Sequence, residues 1–152
     1  MKTVIRKAYI KDVPALQGLI GCFAKRDLML QRSLIELYEN IRDYFVAVNG
    51  GHILGCCALH VCWENLAEIK ALAVDEGRHK KGIGTRLVRQ ALKEAQSLDI
   101  KKVFCLTYVP KFFGKLGFKN IDRKLLPHKI WTECLQCAKF PNCDEQAMML
   151  RL

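Results

Sequence analysis

The segment over residues 64–98 most constrains what this chain can fold into. Residues 64–74 read as a strand, and the basic loop that follows ends in Lys80-Lys-Gly-Ile-Gly84. Apolar residues then recur at helical spacing over residues 87–95. A helix N-terminus carries unpaired N–H groups and a partial positive charge, and glycines let a ligand approach the backbone closely. The pattern therefore predicts a strand, an anion-binding loop and a helix in succession.

The elements around this segment complete an α/β pattern. Asn49-Gly50 joins apolar runs at residues 44–48 and 53–59, which predicts an antiparallel hairpin. Asp12 is expected to cap a first helix, and Ser33 with Glu36 to form a capping box on a second. Further elements are expected at residues 4–9 (strand), 34–41 (helix), 103–107 (strand), 110–116 (helix), 118–121 (strand) and 147–152 (strand). The order β-α-α-β-β-β-α-β-α-β-β predicts one mixed α/β domain over residues 1–152.

Composition excludes several other classes of protein. A chain of 152 residues can bury a substantial core, and 51% hydrophobic with 26% charged residues is not the composition of a disordered chain. No apolar run approaches the roughly 18 residues of a membrane span, and the first residues lack the apolar stretch of a signal peptide. We expect a cytoplasmic protein with no membrane partner.

Charge is distributed unevenly along the chain. Residues 1–75 contain 9 basic and 8 acidic side chains, whereas residues 76–152 contain 16 basic and 7 acidic ones. Such asymmetry favours an anionic partner, either a phosphorylated cofactor, a nucleic acid or a membrane surface, and the alternative is a solvated basic face.

Two motifs resemble those of a known superfamily. Arg78-His-Lys-Lys-Gly-Ile-Gly-Thr-Arg-Leu87 resembles motif A of the GNAT N-acetyltransferases, and Phe112-Phe-Gly-Lys-Leu-Gly-Phe118 is similar to their second cofactor motif. The element order also matches, so the resemblance covers essentially the whole chain. It implies a mixed, mostly antiparallel central sheet flanked by about four helices, with acetyl-CoA as co-substrate and no metal. One departure is His79, which stands where the superfamily usually has Gln or Arg.

The resemblance assigns a set of residues to acetyl-CoA: Leu72, Ala73, Val74, His79, Lys80, Lys81, Gly82, Ile83, Gly84, Thr85, Phe112 and Phe113. In GNAT enzymes the fourth strand splays away from its neighbour, and a freed backbone N–H polarises the thioester carbonyl. Here that role is implied for the backbone over residues 72–74.

Five segments make the resemblance more specific. Residues 30–33, 67–74, 104–108, 126–137 and 139–144 are similar to the short, single-domain bacterial N-acetylglutamate synthases, which acetylate the α-amino group of glutamate in the first step of arginine biosynthesis. The resemblance implies direct attack by the amine within a ternary complex. Glutamine, another amino acid or a small amine are alternative acceptors. A non-catalytic acyl-CoA sensor and a basic nucleic-acid-binding module are alternatives of another class, and the chain lacks the aromatic platform typical of the latter.

Two residues are candidates for proton transfer. Strand alternation predicts that Glu68 shares a face with Lys70, Leu72 and Val74, where it could act as general base through a water. Its alternative is an exposed strand carboxylate. The tyrosine that often protonates the thiolate in similar enzymes is replaced by Phe113. Tyr108 is the substitute on position, with a structural tyrosine or protonation by solvent as alternatives.

Three basic residues are candidates for binding the carboxylates of the acceptor: Arg32, Lys70 and Lys129. Each could instead be an ordinary surface cation. The sequence is compatible with a homodimer, and no nucleic-acid partner is expected.

The cysteines fall into two groups. Cys22, Cys56, Cys57, Cys62 and Cys105 lie in apolar stretches and are expected to be reduced thiols that behave as small hydrophobic side chains. Cys134, Cys137 and Cys143 have a spacing that leaves three readings open, namely a metal site, a disulfide or redox pair, and reduced thiols. Three ligands are one short of a closed structural zinc site, and we expect no metal.

Overall fold

A seven-stranded sheet organises the protein. The computed structural model describes residues 2–26, 28–75, 77, 82–126 and 145–152. The strands are β1 (Val4–Lys7), β2 (Tyr44–Asn49), β3 (His52–Trp63), β4 (Leu66–Val74), β5 (Lys102–Thr107), β6 (Lys119–Asn120) and β7 (Gln146–Arg151). They lie in the order β1-β2-β3-β4-β5-β7-β6, and every neighbouring pair is antiparallel except β4 and β5. The predicted mixed, mostly antiparallel sheet is confirmed.

In the part of the chain that the structure describes, four helices pack on this sheet: α1 (Val13–Ala24), α2 (Leu34–Glu39), α3 (Ile83–Ser97) and α4 (Pro110–Lys115). Short 3-10 turns cover Ile10–Asp12, Ile41–Asp43 and Arg123–Leu125. No helix in the described ranges is both long enough and apolar enough to cross a membrane.

The predicted hairpin is confirmed, with its turn moved by one residue. Asn49 belongs to β2 and pairs with His52, so the two turn residues are Gly50 and Gly51. Their φ angles are 58° and 81°, which glycine adopts without the steric cost that a Cβ brings. The strand after the hairpin is longer than expected and ends at Trp63, so β4 begins at Leu66 and not at residue 64.

The two predicted helix caps have different outcomes. The Ser33 hydroxyl accepts a hydrogen bond from the Glu36 N–H at 3.1 Å, which confirms it as the cap of α2. Asp12 precedes α1 as predicted, but its side chain makes no cap hydrogen bond to that helix. Its carboxylate instead accepts from the Tyr9 N–H at 2.7 Å and from Arg6 Nη1 at 2.8 Å. Because a 3-10 turn directly precedes α1, Tyr9 and not Asp12 is the N-cap of the helical segment.

Helices cover both faces of the sheet and define two main apolar clusters. On one face, α3 packs on β1 to β4. Of its predicted helical positions, Leu87, Val88, Ala91 and Ala95 are buried and Leu92 is partly buried, and Ile83 at the helix start is buried as well. On the other face, α1 and α2 contribute Leu16, Ile20 and Leu37 to a cluster with Cys56 and Ala73 of the sheet. We call the first the α3 face and the second the α1/α2 face.

Candidate active site

The strands β4 and β5 separate part-way along their length. Their parallel ladder has three residue pairs and ends where Glu68 pairs with Phe104. Beyond that point β4 continues to Val74 and β5 to Thr107. A V-shaped opening therefore begins next to Glu68, and backbone groups of β4 on its β5 side lie outside the ladder. This is the splayed arrangement that the resemblance implied.

A β-bulge lies in β4 along this opening. Lys70 pairs with Ala58, but the next pair joins Ala73 to Cys56, so β4 uses one residue more than β3. Ala71 takes up the extra residue with a φ of 54°, and its carbonyl oxygen accepts a hydrogen bond from the Cys56 thiol at 3.2 Å.

The bulge overturns the predicted arrangement of side chains. Because one extra residue shifts the alternation of the strand, Leu72 and Val74 pack in the cluster of the α3 face. Glu68 precedes the bulge, and Lys70 pairs with Ala58 of the α1/α2 cluster. The prediction that Glu68 and Lys70 share a face with Leu72 and Val74 is therefore wrong.

Glu68 is a buried carboxylate with an exposed fraction of 3%. It sits in β4 between His60 of β3 and Phe104 of β5, at the apex of the opening. The alternative of an exposed strand carboxylate is thus excluded. Burial raises the pKa of the neighbouring Cys105 thiol, and the negative charges of Glu68 and Glu145 raise it further.

The α3 N-terminus lies beside the other end of the opening. Gly82 precedes the helix with a φ of 72°, a left-handed conformation that favours glycine, and Ile83 is buried beneath it. A Cβ built at Gly84 would lie 3.4 Å from Phe112 Cζ and 3.7 Å from Val74 Cγ2. Gly84 therefore permits close packing of the helix start on the second cofactor motif, and Thr85 in the first turn is half-buried. The predicted cofactor residues His79, Lys80 and Lys81 lie outside the described residues.

The second motif places its two phenylalanines differently. Phe112 is partly buried next to Gly84, whereas Phe113 is 3% exposed and lies between Phe112 and Phe118, with ring centroids 5.1 and 5.2 Å away. Phe113 has no ionisable group, so it cannot protonate a thiolate. Tyr108 follows directly after β5 and is half-buried, on the strand that borders the opening.

Arg32 is buried on the α1/α2 face with an exposed fraction of 5%, so the alternative of a surface cation is wrong for this residue. Its Nη1 donates to Glu36 Oε2 at 2.8 Å, and its carbonyl oxygen accepts from Gln17 Nε2 of α1 at 3.4 Å. Burial raises the pKa of Tyr44, and the positive charge of Arg32 opposes that shift.

Lys70 lies on the same face of the sheet as Tyr44, which is close to Arg32. Tyr44 and Lys70 both pair with Ala58, so the three residues form one cross-strand row on this face. Lys70 is half-buried. The face beside the opening thus carries Glu68 together with two cations, and the third predicted substrate residue, Lys129, lies outside the described residues.

One pair of polar residues in this region has no motif to mark it. His60 Nδ1 lies 2.8 Å from Asp43 Oδ2, in the 3-10 turn that precedes β2. His60 is also the direct cross-strand partner of Glu68. The alternation of β3 was the one signal for this position, because Asp43 and Glu68 belong to elements distant from His60 in the sequence.

The described cysteines are thiols. Cys56, Cys57 and Cys105 are buried as predicted, whereas Cys22 is exposed and Cys62 half-buried. Burial raises the pKa of Cys56 to about 12, which keeps it protonated at neutral pH. Within the described ranges, no group of His, Cys, Asp and Glu could hold a metal ion. Cys134, Cys137 and Cys143 lie outside those ranges.

The matching family model and the similar proteins are acetyltransferases. The model of the Acetyltransferase (GNAT) family matches residues 16–118. An uncharacterised N-acetyltransferase of Chlorobaculum tepidum is 39% identical over 150 residues, covering 99% of this chain and 97% of the relative. An amino-acid acetyltransferase of Mycobacterium tuberculosis is 35% identical over 135 residues, covering 87% of this chain and 77% of the relative. The M. tuberculosis protein Rv2747, solved in complex with CoA and NLQ, superposes with a TM-score of 0.86 at 32% identity, covering 98% of this chain and 99% of that one.

Proposed function

This chain belongs to the GNAT acetyltransferase family, and from that premise we propose that it transfers the acetyl group of acetyl-CoA to the α-amino group of L-glutamate. The observation that carries the choice of acceptor is the α1/α2 face, where a buried arginine and a half-buried lysine lie on the same side of the sheet as Glu68. The similarity to an amino-acid acetyltransferase supports an amino-acid acceptor. The same proposal places the reaction in the cytoplasm, at the first step of arginine biosynthesis.

The N-terminus of α3 binds the anionic part of acetyl-CoA in this proposal. The unpaired N–H groups of the first turn and the partial positive charge of a helix start favour phosphate oxygens. Gly82 leaves the approach to these groups open, since no atom of the described residues would lie within 4 Å of a Cβ there. The thioester then enters the opening between β4 and β5, where a backbone N–H over residues 72–74 polarises its carbonyl.

The acceptor binds on the α1/α2 face. Glutamate carries two carboxylates, and Arg32 and Lys70 supply positive charge for them. Because Glu36 already accepts from Arg32 Nη1, a substrate carboxylate would share the guanidinium with Glu36 or displace it. Glu68 takes a proton from the α-ammonium group, directly or through a water, and the neutral amine attacks the carbonyl. Tyr108 or solvent protonates the departing thiolate.

The test is a thiol-release assay with acetyl-CoA against L-glutamate, L-glutamine, L-leucine, spermidine and no acceptor. We expect L-glutamate to give the highest kcat/KM, because only it presents two carboxylates. Faster turnover with spermidine or L-leucine would contradict the choice of acceptor. A thermal shift with acetyl-CoA but no thiol release with any acceptor would indicate a sensor.

Substitution of Arg32 tests the carboxylate site. Arg32→Lys keeps the charge and loses the planar fork, so we expect KM for L-glutamate to rise about tenfold, with KM for acetyl-CoA changed less than about twofold. Glu36→Gln is the matched control, because it removes the protein's own ion pair and leaves the guanidinium in place. An unchanged KM for L-glutamate in Arg32→Lys would refute the assignment.

A further inference from the structure

The buried position of Glu68 raises a question about proton transfer. An α-ammonium group loses two protons when it becomes an amide nitrogen; one of them ends on the thiol of CoA and the other in bulk solvent. Glu68 is 3% exposed, so a proton taken up by its carboxylate has little direct access to solvent. A neighbouring group that reaches the surface would give this proton a path to solvent.

His60 is placed to be that group. It is the direct antiparallel partner of Glu68, so the two side chains project from the same face, with Cβ atoms roughly 4.5–5.5 Å apart by the geometry of such pairs. The side chain of His60 is 37% exposed. Of these two cross-strand partners, one is therefore buried and the other reaches the surface.

Asp43 sets the chemistry of the imidazole. Its Oδ2 lies 2.8 Å from His60 Nδ1, and since a carboxylate accepts hydrogen bonds, Nδ1 carries the hydrogen of the neutral ring. Nε2 is then the nitrogen that can accept a proton. The 3-10 turn Ile41–Asp43, held to the sheet by buried Ile41, keeps Asp43 in place.

We infer that Asp43 and His60 form a proton relay that discharges Glu68 during acetyl transfer. Glu68 takes a proton from the acceptor's ammonium group and becomes a neutral acid. The proton passes to His60 Nε2, which gives an imidazolium stabilised by Asp43, and Nε2 then releases it to water. Glu68 and His60 return to their starting states after each turnover. His60 acts through Glu68 and is a positioning residue; the inference rests on the proposed function.

Chemical rescue separates a relay from a structural contact. In the thiol-release assay with the best acceptor, we expect His60→Ala to lower kcat about 10- to 100-fold, within the range of a positioned acid–base group, with KM for acetyl-CoA changed less than about twofold. Added imidazole should restore kcat in a concentration-dependent, saturable manner, because it replaces the missing proton carrier. Asp43→Asn keeps an acceptor for Nδ1–H but loses the charge, so we expect a smaller fall.

Two controls complete the design. His52→Ala removes a histidine from the exposed start of the same strand, and its kcat should match the wild type with or without imidazole. Thermal melting of every variant, with and without acetyl-CoA, shows whether the fold survives.

The possible outcomes distinguish the two proposals. If the wild-type protein is active and His60→Ala is unaffected, the relay alone is overturned. The same holds if His60→Ala is impaired and imidazole does not restore its kcat. Absence of turnover by the wild-type protein with every acceptor overturns the proposed function and the relay with it.

Discussion

The two glycines at the start of α3 are expected to respond oppositely to the same substitution. At Gly84 the helix continues normally, and a Cβ would lie 3.4 and 3.5 Å from Phe112 and 3.7 Å from Val74, which is ordinary van der Waals contact. Gly84→Ala therefore gains helix propensity and contact without strain, about 0.5–1 kcal/mol in the free energy of unfolding. At Gly82 the φ of 72° imposes a left-handed conformation, and Gly82→Ala should cost about 1 kcal/mol.

Urea unfolding and thermal melting of the ligand-free variants measure this difference. A separation of about 1.5–2 kcal/mol between the two corresponds to melting temperatures roughly 4–6 °C apart for a chain of this size. Gly82→Asn is the matched control, since asparagine tolerates the left-handed region better than alanine and should lose less.

The affinity for acetyl-CoA should depend on the backbone conformation at the two glycines and not on the stability of the variants. Calorimetry is expected to show a Kd raised about tenfold in Gly82→Ala, because the substitution reshapes the N–H groups that the phosphates need. The Gly84→Ala Kd should change less than about threefold, since its methyl group faces the protein. If both variants shifted stability in the same direction, the reasoning from φ and from packing would be refuted.

Three further substitutions test other parts of the molecule. Asp12→Asn removes a carboxylate whose pKa is held below its ordinary 3.8 chiefly by the hydrogen bond from Arg6. Because that folded-state pKa is depressed, the stabilisation is fully present above 3.8 and is lost as the pH falls through the lower folded-state pKa. Urea unfolding should therefore separate wild type from variant at pH 7 but not in strong acid. Asp99→Gly relieves a φ of 62° at the end of α3, where Ile100 N–H bonds to Ala95, and should add about 0.5–1 kcal/mol in urea unfolding, whereas Asp99→Ala should not. Phe113→Tyr places a hydroxyl in the core and should cost about 1–3 kcal/mol by thermal melting without raising kcat. A higher kcat at unchanged melting temperature would show instead that this position reaches the thioester.

Much of the fold was predictable because its signals are local. Asn49-Gly50 predicted the hairpin, and the spacing of apolar residues predicted α3, since both depend on interactions between residues close in sequence. The ends of elements were less predictable. The start of β4 moved because β3 is longer than its apolar run, and the Asp12 side chain turned back to the preceding 3-10 turn.

For the candidate site, too, the local signals were predictable from the sequence and the arrangement of side chains was not. By itself the sequence determined the order of elements, the glycine loop before α3 and the kinds of residue available for chemistry, because motif and periodicity reside in neighbouring positions. Only the tertiary structure decided which side chains meet. The bulge at Ala71 reverses the alternation of β4, and no residue type marks it, since alanine does not favour a positive φ. The burial of Arg32, the contact of Asp43 with His60 and the pairing of His60 with Glu68 likewise depend on strand register and on packing between distant segments.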